Sequence, residues 1–65
     1  MKVYYEVNEN SVIIFNGKRV NGSKVILTTK SRAKALDLYR KKEKIRWVEE
    51  ITDYGSGEST DIITS

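Results

Sequence analysis

The sequence predicts an α+β domain: a three- to four-stranded antiparallel sheet with one helix packed on one face, in ββ(β)αβ order, followed by a disordered acidic C-terminal tail. Three observations carry this reading. The first half of the chain alternates with period two or runs through β-branched residues, the stretch after Ser31 changes to helical spacing, and past Tyr54 the composition turns to Gly, Ser, Thr and acids. The domain spans residues 1–54, and 55–65 is read as a flexible tail whose apolar content is Ile62-Ile63.

Val3, Tyr5 and Val7 alternate with Lys2, Tyr4 and Glu6, which predicts a strand with one buried and one wet face and leaves Tyr4 as the exposed aromatic. Asn8-Glu9-Asn10 supplies turn formers. Ser11-Val12-Ile13-Ile14-Phe15 then reads as a second, central strand, because a continuous β-branched and aromatic run suits burial on both faces. Asn16-Gly17 and Asn21-Gly22 can both adopt the positive φ angles of a tight hairpin; a long hairpin with one pair as the turn and the other as a bulge fits better than two turns. Lys24 to Thr29 forms the third strand.

Ser31 is placed to cap a helix, its hydroxyl accepting a backbone N–H two or three residues on, while Lys34 stands where a capping box would have Glu or Gln. Ala35, Leu38 and Tyr39 share a helical face, with Leu36 beside it and the Lys42 methylenes along its edge. The opposite face gathers Ala33, Lys34, Asp37, Arg40, Lys41 and Lys44, with Asp37 spaced to pair with Arg40 or Lys41. Ile45, Trp47, Val48 and Ile51 leave the helical stripe, so residues 45–52 read as a fourth strand. A helix continuing to about residue 50 is the competing reading.

The net charge of +3 conceals an asymmetry. Residues 18–46 hold eleven of the twelve Lys and Arg against Asp37 and Glu43, a net +9, whereas 47–65 hold five acids and no base. A basic binding surface beside an acidic tail accounts for this, as do two solvated segments that attract each other. Lys30, Arg32 and Lys34 fall at the helix start, where the backbone dipole disfavours cations; they and the free amides there make a candidate site for a phosphate or a partner's carboxylates. Lys18, Arg19, Arg40, Lys41 and Lys44 extend the candidate surface.

With no Cys and no His, disulfide staples, thiolate zinc sites and imidazole chemistry are excluded. Ser, Thr, Lys and acids occur in no recognisable catalytic spacing, the glycines form no phosphate-binding loop, and Glu49, Glu50 and Asp53 lack the alternation of oxygen ligands that a hard cation needs. The expectation is a protein without catalytic residues, metal or cofactor. No apolar run reaches the length of a membrane span, and the lack of staples favours a cytoplasmic setting.

The order of short strands, a Thr28-Thr29-Lys30-Ser31-Arg32-Ala33-Lys34-Ala35 helix start, a strand containing Trp47 and an acidic tail resembles the small ββ(β)αβ accessory proteins of bacteriophages and other mobile elements. The resemblance covers residues 1–54, and no functional residue carries over from it. It implies a non-enzymatic protein that binds and modulates or inhibits a host macromolecule, such as a defence nuclease or a polymerase, through protein–protein contacts. The alternative is a nucleic-acid-binding regulator using the basic surface of residues 18–46. The expected state is a monomer or a dimer paired through a sheet edge.

Overall fold

The computed structural model describes residues 1–41 and 44–63. It contains β1 (Lys2–Phe15), β2 (Lys18–Thr29), α1 (Arg32–Arg40), β3 (Arg46–Asp53) and β4 (Glu58–Ile62). The strands form one antiparallel sheet in the order β2-β1-β3-β4 with α1 on one face.

The expected turn at Asn8-Glu9-Asn10 does not occur: β1 runs straight through it. Polar side chains there are accommodated because each finds a partner. The Asn8 amide donates to Glu49 Oε2 at 3.0 Å, and Glu9 is bound by Arg46. Of the two Asn-Gly pairs, Asn16-Gly17 is the hairpin turn, with φ of 52° and 75°, the two successive positive angles that such a turn demands. Asn21-Gly22 is no bulge; it lies in regular register opposite Val12 and Ser11, where the absence of a Cβ on Gly22 leaves room for the Ile13 side chain. The register shift falls instead where Val7 faces Leu27 and Asn8 faces Val25, making Ile26 the extra residue. Ile26 and Leu27 consequently both pack toward the core, which adjacent residues of a regular strand do not do.

β1 changes character along its length. Tyr5 to Glu9 lies between β2 and β3 and Lys2 to Tyr4 pairs with β3, whereas Ser11 to Phe15 pairs with β2 alone. The outer part of the hairpin is therefore a two-stranded arm projecting from the four-stranded body, in a molecule 41 Å long and 18 Å thin. The expected central, doubly buried strand over 11–15 is corrected accordingly: Val12, Ile13, Ile14 and Phe15 are all exposed. Among the described residues no third neighbour reaches that far along β1.

Ser31 caps α1 as the sequence indicates, its hydroxyl accepting the Lys34 N–H at 3.2 Å, and Asp37 meets Arg40 at 3.8 Å. The helix is short. Its last carbonyls are taken by the Arg46 guanidinium, which donates to Leu38 O at 3.0 Å and Lys41 O at 2.9 Å. Ala35 is fully buried against Val7 and Val48, with Leu36, Leu38, Tyr39 and Ile63 packed around them. The expectation for Lys42 falls outside the described residues.

Residues 45–52 were expected to be a strand, and β3 occupies nearly that span. The flexible tail expected over 55–65 is corrected over 58–62, which form β4 along the outer edge of β3. Gly55, at φ 87°, accepts the positive angle of the connecting turn, and its N–H donates to the Asp53 carboxylate at 2.8 Å. Ile63 then returns to the core, its N–H bonded to Val48 O. Polar composition hid this strand because an edge strand with exposed side chains has little apolar surface to contribute.

Candidate functional site

The two faces of the sheet follow from the alternation of β1. Val7 and Glu9 point to the helix side, so Ser11, Ile13 and Phe15 do as well, opposite Gly22, Val20 and Lys18. Asn8 points to the far side, as do Val12 and Ile14, opposite Asn21 and Arg19. The body's helix side is filled by α1. The arm's helix side is bare, leaving Ile13, Phe15 and Val20 exposed next to the root of β3, where Ile45 is also exposed and accepts the Asn10 N–H.

The basic residues anticipated as one patch are not brought together. Lys18 and Arg19 sit at the arm tip opposite Phe15 and Ile14, whereas the helix start follows Thr29, which pairs with Tyr5. Ten residues of strand separate those two levels on β1, about 33 Å at the rise of an extended chain. Arg40, Lys41 and Lys44 lie at the opposite end of α1 from Arg32, near the arm's root.

The helix start itself already has partners. Arg32 faces the Glu50 carboxylate at 4.0 Å, and the Ser31 hydroxyl occupies the Lys34 amide. Burial raises the Tyr5 hydroxyl pKa; the adjacent Glu50 raises it further, and Arg32 partly offsets both. Thr29 Oγ1 accepts the Ser31 N–H at 3.0 Å. A phosphate would have to displace these contacts. Lys30 stands apart, beside a shallow, mostly apolar cleft of about 410 Å³ lined by Lys2, Tyr4, Thr28, Thr29 and Asp53 among others.

Three cations converge at the arm's root on one acid. Glu9 is 5% exposed and meets Arg46 at 3.2 Å, Lys44 at 3.5 Å and Lys24 at 4.0 Å. Burial pushes its carboxyl pKa up, but the Arg46 hydrogen bond and the Lys44 and Arg46 charges outweigh this, and the net position is below the usual carboxylate value. This cluster escaped the sequence reading because Glu9 stood in an apparent turn. A buried charge with matched partners ties β1, β2, β3 and the end of α1 together, and it accounts for Lys44 structurally.

Lys18, Arg19, Lys30, Lys34 and Lys41 remain exposed and have no ion-pair partner among the described residues. No group of three or more acids among them is placed to hold a metal ion, and no helix among them is long and apolar enough to cross a membrane. Two surfaces are thus available for binding: the apolar arm with its basic tip, and the dispersed cations around α1. Comparison with family models, with curated proteins and with solved structures gives no match for the chain.

Proposed function

We propose that this chain is a non-enzymatic binding protein, an accessory protein that engages and modulates a host macromolecule through protein–protein contacts made by the helix side of the arm. The observation that supports it is the uncovered strip of Ile13, Phe15 and Val20, with Lys18 at its end. An aromatic anchor among aliphatic neighbours with a cationic rim is the composition of an interface centre, where a few buried side chains supply most of the affinity. The resemblance to mobile-element accessory proteins favours a partner such as a defence nuclease or a polymerase.

A second reading is supported by five of the cations that have no ion-pair partner among the described residues: a nucleic-acid-binding regulator that neutralises phosphates with Lys18, Arg19, Lys30, Lys34 and Lys41. The two readings separate in one experiment. The partner co-purified from the native cell is titrated against the parent chain, Phe15→Ala, and Lys18→Gln with Arg19→Gln, at two salt concentrations. The protein-binding reading expects Phe15→Ala to weaken binding roughly thirtyfold or more with little response to salt. Binding that ignores Phe15 but falls steeply with salt and with loss of Lys18 and Arg19 overturns it in favour of nucleic acid.

A further inference from the structure

We propose that the far face of the sheet, the one opposite α1, is an interface between two copies of this chain, packed face to face about a two-fold axis that crosses β1 near Asn10. Two independent observations lead there. First, the far face carries two like charges without a counter-ion: Glu6 and Glu49 are directly opposite each other across β1 and β3, and although Glu49 accepts the Asn8 amide, neither has a cation partner among the described residues. Like charges at directly opposed sheet positions repel. Asp53 and Glu58 lie on the same face of the body, against Lys2. Second, the arm's far face presents Val12 and Ile14, both more than half exposed, together with Arg19 beside Ile14 and no acid, and the half-exposed Val25 continues it onto the body opposite Asn8.

The two halves of this face are complementary in charge, and they lie at opposite ends of the same strand. A two-fold axis perpendicular to the strands reverses the second copy, so that Ile14 of one chain lies over Glu6 of the other, Arg19 lies over the neighbouring Thr28 within side-chain reach of Glu6, and Val12 lies over Asn8. The contact closes on itself, as an isologous interface must, and it leaves no free end to propagate. Val12, Ile14 and Val25 with the half-buried Tyr4 and Trp47 offer on the order of 100 Å² each, hence roughly 1,000 Å² over both copies, where specific interfaces begin. A reversible, concentration-dependent dimer is therefore expected. The pairing also provides cover that the chain lacks alone: among the described residues the fully buried hydrophobics are Val7, Ala35 and Val48, with Ile51 close behind at 3% exposed.

The test is sedimentation of the full chain up to roughly millimolar concentration, with amide exchange on each variant to verify its fold. The parent should dimerise, Ile14→Lys should be monomeric, and Arg19→Glu should weaken the dimer at least tenfold. Because each chain carries both halves of the contact, Arg19→Glu combined with Glu6→Arg should restore it. A parent that stays monomeric throughout overturns the proposal, and so does a dimer indifferent to Arg19→Glu or one that the double reversal fails to recover. The Ile14→Lys result is independent of the partner experiment, since that change leaves the helix side of the arm, and Phe15 with it, untouched.

Discussion

β1 is one uninterrupted strand, yet its two halves live in different surroundings. From Tyr5 to Glu9 it has a strand on either side and a helix above Val7; from Ser11 to Phe15 it has β2 alone. The inner half is the more polar in sequence, with Glu6, Asn8 and Glu9, and the outer half is wholly uncharged. Burial nonetheless runs the other way. The number of neighbouring elements, and not the local hydrophobicity, decides what is covered, and an apolar segment left uncovered by that geometry is available for association.

The largest expected contrast is in stability. Val48→Ala, at a fully buried site, should cost about 2 to 3 kcal/mol, against a total of roughly 3 to 10 kcal/mol for a chain of this size. Val12→Ala on the arm should change the stability of dilute chain by less than about 0.5 kcal/mol. Urea denaturation checks both, and equal losses would mean that the arm is buried in the free protein.

The polar centre of the body comes next. Because the Glu9 pKa is lowered on folding, its contribution is complete above the ordinary carboxylate range and is lost as pH falls through the lower folded-state value. Thermal melts from about pH 6 downward should therefore show the parent losing stability, and Glu9→Gln should start lower and vary less with pH. A parallel decline in both proteins would remove Glu9 as the cause. At the arm's end, Gly17→Ala should cost about 1 kcal/mol through the positive φ at the turn, read by denaturation.

Amide exchange should draw the boundary between the two halves residue by residue. The Asn10 N–H points toward the β3 side, so those of Val12 and Ile14 do too and meet no strand there, while Ser11, Ile13 and Phe15 pair with β2. Protection should alternate along the arm and be continuous from Tyr4 to Glu9. The smallest effect belongs to the helix start. Replacing Lys30 and Lys34 by Gln should stabilise the fold by a few tenths of a kcal/mol by relieving the dipole conflict. Arg32→Gln, which also loses Glu50, should yield no such gain.

Much of this fold was legible because its signals are local. The Ser31 cap, the Ala35-Leu38-Tyr39 face, the Asn16-Gly17 turn and the β3 composition each depend on a few neighbouring residues. What escaped is determined by distant partners. Asn8 and Glu9 looked like a turn until Glu49 and Arg46 were placed beside them, and β4 looked like a tail because its contribution is backbone pairing with β3. The candidate cations were the right residue types in the wrong arrangement: a linear charge run says nothing of the extended strand that carries Lys18 and Arg19 away from the helix.

The position of β1 between β2 and β3 also sets an order of events in time. The β1–β2 hairpin turns on two residues and can close within microseconds, whereas the β1–β3 contact from Asn8 to Glu49 spans 41 positions and must await a much larger loop closure. Between those steps the inner half of β1 is as bare along its edge as the arm is in the finished molecule. A newly made chain thus passes through a stage at which every polar backbone group on one side of the strand is open to a stranger. Glu6, and Glu9 with Lys24 as its one partner at that stage, then place charge along the strand and act as its protection against mispairing.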